Sequence, residues 1–232
     1  MGEPLIAAIR ACLSNGRRLL NDAQTLESSD PLATAYYLTL IAQEEFAKGF
    51  LLALVVRNVI PWDRRLLRAA RDHRCKQLLC VVMDYLQPDH EEFLDRCDAV
   101  VHRHELTEMP AKVADAMHIL RYEKIGRWSD SHWVWGEDPE YDADALAVSD
   151  GQHERQKQDA LYVRLAVDGG VASAPTDVSD ERLEAERERA ERFAGVAESV
   201  LAGDPNPGLD YDQVEEWFRV LFASTGSAAD RA

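Results

Sequence analysis

A chain of 232 residues with 46% hydrophobic content is long enough to bury a substantial core. Its net charge of −16 excludes general affinity for nucleic acid, yet the charge is uneven: residues 1–120 carry a net −3 and residues 121–232 a net −13. The longest uninterrupted apolar run, Phe50 to Val56, is far shorter than the roughly 20 residues a bilayer needs, and the N-terminus turns polar too soon for a secretory leader, so a cytosolic protein without a membrane span is expected.

The chain opens on an amphipathic helix over residues 3–28, with Leu5, Ile6, Ile9, Cys12, Leu13, Leu19, Leu20, Ala23 and Leu26 at helical spacing and a bend expected at Asn15-Gly16. Ser28-Ser29-Asp30 turns it into the central helix, residues 31–58, which is apolar nearly all round and therefore belongs in the middle of a bundle. Asp30 suits its N-cap, Pro31 its first position, and Pro61 follows its end. Inside this apolar run sit Glu44, Glu45 and Lys48, spaced three and four apart so that all three are expected on one side. Buried charge must be paired or face a wet cleft, which makes this polar island the first candidate for function.

A third helix is predicted over 62–86, basic first and apolar later. Residues 57–76 hold Arg57, Arg64, Arg65, Arg68, Arg71, Arg74 and Lys76 against Asp63 and Asp72, a strip that either contacts phosphate or is a solvated face. Pro88 opens a fourth helix with Phe93, Leu94, Cys97, Val100 and Val101 inward, and Pro110 a fifth, to about Lys124. Residues 126–151 read as a long loop mixing Trp128, Trp133 and Trp135 with acidic groups, either a covering loop or a lid. Residues 161–174 alternate around Asp168-Gly169 as a β-hairpin, with Tyr162 expected in its core and its hydroxyl within reach of the polar cluster. Ser179 caps a charged helix over 180–202 that Gly203 stops, Asp210 caps a last helix to about Ser224, and residues 225–232 are expected to be a disordered tail. Cys12, Cys75, Cys80 and Cys97 form no C-x-x-C pair and read as reduced core thiols. The expectation is one mainly α domain over 1–224, a helical bundle with a small β-hairpin.

Four features in this order resemble the AbiV-type abortive infection proteins of the HEPN superfamily. They are Asn15, Gly16, Leu19, Ala23 and Leu26 on the first helix; Ala42, Glu44, Glu45 and Lys48 on the second; His73 and Lys76 on the next; and a basic helix end, Arg155 to Lys157, running into Leu161, Tyr162 and Val163. Gly16 stands where Ala is expected, a mild departure, and the acidic Trp-rich loop is long for the family. The resemblance implies a HEPN-like helical bundle, often homodimeric, acting in bacterial defence against phage. HEPN relatives are commonly metal-independent RNases with an Arg-x(4–6)-His signature. This chain has Arg68-x4-His73 and Arg96-x5-His102, although roughly two such pairs arise by chance in a sequence this rich in Arg.

If the second and third helices are antiparallel neighbours, His73 and Lys76 meet Glu44, Glu45 and Lys48. As a nuclease, His73 would take the proton of a ribose 2′-OH, Lys76 or an Arg of the strip would stabilise charge on phosphate, and Glu45 would orient the imidazole or hold Lys48, with no metal or cofactor required. Arg68, Arg71, Arg155 and Tyr162 are the candidate RNA contacts. The same set could instead pin two helices together in a non-catalytic regulatory module that binds a phage or host protein, whether activator or antitoxin. A di-metal carboxylate bundle is disfavoured: Asp115-x-x-His118 and Asp150-x-x-His153 are the nearest approaches to its Glu-x-x-His motif.

Overall fold

The computed structural model describes residues 2–27, 32–102, 109–128, 139–175 and 178–223. They form a mainly α bundle with one two-stranded hairpin. In chain order the helices are α1 (Gly2–Leu26), α2 (Ala33–Val56), α3 (Arg64–Ala69), α4 (His73–Leu86), α5 (His90–His102), α6 (Ala111–His118, widening to a π-helix over Ile119–Ile125), α7 (Ala143–Ser149), α8 (Gln152–Leu161), α9 (Asp180–Ala202) and α10 (Tyr211–Ala223). The strands β1 (Arg164–Leu165) and β2 (Val171–Ser173) pair antiparallel between α8 and α9.

The apolar α2 is the hub. It packs along α1 and α9 and against α4 and α8, and Phe46, Phe50, Leu51 and Leu54 are fully buried in it. A helix surrounded by other helices must be apolar on every side, which is the pattern its sequence carries. The expected Asp30 cap, Pro31 and the Ser28-Ser29 turn lie outside the described residues, as do His104, His132, Trp133, Trp135 and the tail. Ser179 caps α9 by accepting the Arg182 amide N–H, and Gly203 ends it at φ 78°, as its sequence announces.

Several expectations are corrected. Asn15-Gly16 does not interrupt the first helix: α1 runs unbroken from Gly2 to Leu26, and Gly16 is there because a Cβ would come within 2.5 Å of the buried Phe46 ring. An Ala at this place is therefore not a mild exchange, and the small side chain is what lets α1 and α2 approach. The single helix expected over 62–86 is two helices. Asp63 accepts the Leu66 amide N–H at 2.7 Å and Asp72 the Cys75 amide N–H at 3.0 Å, so each caps its own start. The long loop holds a helix of its own, α7, capped by Asp142. On α5 the apolar residues expected inward are exposed where side chains are described, Phe93 at 41% and Leu94 at 51%, and the inward contact is Arg96 over the Tyr85 ring; Cys97 is an exposed thiol while Cys12, Cys75 and Cys80 are buried. Val100 and Val101 fall outside the described side chains. The Asp210 carboxylate accepts the Tyr85 hydroxyl at 3.0 Å. No described helix is long and apolar enough to cross a membrane.

Candidate functional site

Neighbouring residues of a helix point about 100° apart, and that rotation divides the polar island of α2. Glu44 turns inward to α4 and α8 and is buried; Glu45 turns aside and takes Lys48, three residues on, at 2.7 Å. The two lysine-bearing groups expected in one set are thus separate: Lys48 belongs to Glu45, and Lys76 to Glu44.

The break before α4 places His73 on the first residue of that helix, with Lys76 one turn further and Gln77 beside it. His73 Nδ1 lies 2.6 Å from Glu44 Oε2, and Lys76 Nζ lies 2.9 Å from the same oxygen. The other oxygen, Oε1, accepts from Lys157 Nζ at 2.6 Å and from Gln77 Nε2 at 3.2 Å. An ionised carboxylate only accepts, so Nδ1 carries the hydrogen and the imidazole keeps Nε2 as its basic nitrogen. The His73 side chain is 52% exposed although its partner carboxylate is 4% exposed. The imidazole is therefore held from within and open from without.

Burial by itself would raise the Glu44 carboxyl, but the His73 hydrogen bond and the Lys76 and Lys157 ammonium groups outweigh it and bring it down to about 2. Lys157 is likewise buried. Desolvation works against its charge, and Glu44 and Glu154 more than restore it. Its Nζ is 2.6 Å from Glu154 Oε2 and 3.2 Å from His73 Nδ1. Glu44, His73 and Glu154 each bring a donor atom within 4.8 Å of the others, a spacing that could hold a divalent ion. The Lys157 ammonium stands among these three groups, so the chain's own cation fills the place an ion would take.

The remaining expectations divide. Arg68 lies on α3, not on the helix of His73, and its guanidinium rests 4.5 Å over the Trp128 ring. Arg71 is exposed in the turn between α3 and α4, two residues before His73. Arg155 is exposed on α8 and donates to the Asp150 carbonyl at 3.3 Å. Tyr162 is not a hairpin core residue: it ends α8 and is 64% exposed, because the two-stranded hairpin is too small to enclose a core. His118 packs its ring 5.5 Å from that of Trp217. His153 does approach it, lining a small cavity with Gln43, Glu44, Gln77, Cys80 and Lys157, where burial pushes its imidazole down to about 4.

Sequence reasoning left out Lys157 and Gln77 as members of the site. Gln77 had no signal beyond adjacency to Lys76. Lys157 closes the basic stretch Arg155 to Lys157 and follows Glu154 at three residues, a spacing that pairs them on a helix. What no spacing gives is that α8 returns to α2, setting Lys157 against Glu44 across 113 residues of chain.

The geometry has a counterpart in relatedness. The family model HEPN_AbiV, described as AbiV, matches residues 4–195. No curated protein and no solved structure matches the chain. The matched stretch carries Glu44, His73, Lys76 and Lys157 alike and takes in far more than half of the sequence, so the protein belongs to the AbiV family of HEPN proteins, a family of abortive infection and anti-phage defence.

Proposed function

We propose that the protein acts in this defence as a metal-independent endoribonuclease, with His73 as the general base. One observation carries the reading: a half-exposed imidazole fixed through Nδ1 by a buried carboxylate 2.6 Å away. That is the arrangement in which one nitrogen is oriented and the other is free to move a proton. In the reaction His73 Nε2 removes the proton of a ribose 2′-OH. The 2′ oxygen then bonds to the adjacent phosphorus as the bond from phosphorus to the 5′ oxygen breaks, giving a cyclic phosphate and a 5′-hydroxyl that takes up a proton. Because the Lys76 ammonium is engaged by Glu44, charge developing on the phosphate falls to Arg71 of the basic strip. Glu44, Lys76 and Lys157 position the base. Glu45 and Lys48 stand beside this set, paired with each other. A homodimer that joins two such sites across a cleft belongs to the same reading.

A second reading, a non-catalytic module that binds a phage or host protein, is favoured by the hairpin. Leu165 is 68% and Val171 66% exposed, they are cross-strand partners, and so they present one apolar face. The experiment that separates the two is a phage challenge of cells expressing the native chain or His73→Ala at equal soluble abundance, with total RNA run from each. RNA fragments and protection with the native chain, both lost in His73→Ala, support the nuclease. Intact RNA with full protection in His73→Ala overturns it in favour of a protein partner.

A further inference from the structure

A cleft of about 520 Å³ opens between α1, α2 and α3. That volume lies within the roughly 300–1,000 Å³ of small-ligand sites. Apolar Leu5, Ala8, Leu52, Leu67 and Ala70 and the Trp62 ring line it, together with two cations, Lys48 and Arg71. The two cations are not equivalent. Lys48 has its charge met by Glu45 at 2.7 Å, so it offers its remaining N–H groups to a neutral acceptor. Arg71 is exposed on the same strip as Arg64, Arg68 and Arg74, and it alone of the pair is left to meet an anion. A ligand that suits both has a flat, apolar body with carbonyl or ring-nitrogen acceptors inside and a negative group outside. A fatty carboxylate meets the second condition and leaves the Lys48 donors without acceptors; a nucleotide meets both.

We infer that this cleft receives an unstacked base of single-stranded RNA, stacked on Trp62 and contacted by Lys48, with its phosphate on Arg71. The inference rests on the nuclease reading for its placement, because Arg71 stands two residues before His73 and so sets a bound phosphate beside the base that would act on it. It also accounts for an acidic chain handling RNA: attraction is confined to one strip, and a base that must leave its stack to enter makes single strands the substrate. Aromatic surface is supplied by Trp62, which lies within the strip between Arg57 and Arg64 and lines the cleft, and by Trp128 across from Arg68.

The test is binding of a fluorescent single-stranded oligonucleotide whose 2′ positions are all O-methylated, read by anisotropy over a range of salt. Such a probe has no 2′-OH to attack with and measures binding apart from cleavage. The native chain and His73→Ala are expected to bind it equally and to prefer it over the same sequence as a duplex. Trp62→Ala is expected to weaken binding by roughly tenfold, and Leu67→Asp, at an already exposed site, to weaken it without disturbing the fold. Arg71→Ala should lower the slope of log affinity against log salt by about 0.7. Unchanged affinity in Leu67→Asp and Arg71→Ala, or no binding by the native chain, overturns the inference. Cleavage of plain RNA by the same proteins reads the nuclease separately. Binding without cleavage keeps the cleft and removes the nuclease, whereas cleavage by Leu67→Asp at unaltered KM removes the cleft and keeps the nuclease.

Discussion

Glu44 and Asp84 both hold a carboxylate between helices of the bundle, and both are met by cations from a helix far along the chain. At Asp84 the partner is Arg189 of α9, whose Nε lies 2.8 Å from Oδ2. Arg189 reaches on to Glu186 at 3.4 Å, and Glu186 in turn accepts from Gln43 of α2 at 2.7 Å. Burial works against the charge on Arg189, but Asp84 and Glu186 outweigh it and hold the guanidinium more firmly charged than usual. Every polar group of that chain of contacts closes on another, so it ties α2, α4 and α9 in register. At Glu44 the same kinds of contact tie α2, α4 and α8, yet the network ends on an imidazole that solvent reaches. A closed network of buried charge is explained by packing alone. An open nitrogen at its end is not needed for packing, and that difference separates a candidate site from a structural clamp.

The comparison is broken most severely by removing one carboxylate. Glu44→Ala leaves the Lys76 and Lys157 ammonium groups buried with one partner between them, at a cost of about 4 kcal/mol. Arg189→Ala leaves the more accessible Asp84 with Arg192 alone, 3.6 Å away, and is expected to cost less, about 3 kcal/mol. Denaturant titration of both variants checks the order. If instead Glu44→Ala proves as stable as the native chain, the Glu44 group is not the buried anchor described. The double exchange of Glu44→Gln with Lys157→Met, which removes one charge of each sign and leaves only the Lys76 ammonium behind, is expected to recover part of the loss.

Acid sharpens the comparison next. Glu44 sits at about 2 in the folded protein, below its ordinary 4.5, so the stability it contributes is present above about 4.5 and is lost as the pH falls toward 2. The size of that loss is on the order of 3 kcal/mol. His153, pushed down to about 4 from 6.5, takes up protons more readily when unfolded, so it removes stability earlier, as the pH falls from about 6.5 to 4. Acid unfolding followed by circular dichroism should therefore weaken the fold in two successive windows. His153→Leu is expected to flatten the upper window and leave the lower one; a lower window that persists in Glu44→Gln would refute the assignment.

How far the sequence announces these features depends on the range of the interaction that makes them. The hub α2, the cap at Ser179, the stop at Gly203 and the turn at Asp168-Gly169 rest on local chemistry and are readable from neighbours. The pairing of Glu44 with His73 and Lys76 was readable from helical spacing and a short connection. The split between α3 and α4 was signalled by Asp72, but the continuous basic pattern across residues 64–76 masked it. Gly16 shows the limit of local reasoning. Its spacing suggests a bend, while its reason is the Phe46 ring on another helix. Lys157 shows the same limit for the site, since only the path of the chain through α8 brings it to Glu44.

The smallest expected effect tests the division of α2 itself. Glu45 and Lys48 repeat the charge types of Glu44 and Lys76 one helical step away, but their side chains are 15% and 26% exposed, against 4% and 8% for Glu44 and Lys76. Water can replace either partner of the outer pair, so its loss uncovers no buried charge. Lys48→Ala is therefore expected to cost no more than about 0.5 kcal/mol, the usual worth of a pair three or four residues apart on a helix. Lys76→Ala, made in parallel, removes one of two ammonium groups from a buried carboxylate and is expected to cost about 2 kcal/mol. Thermal melts of the two variants give the contrast directly. Equal losses would mean that the outer pair is as deeply engaged as the inner one, and that the rotation from Glu44 to Glu45 does not separate a clamp from a surface.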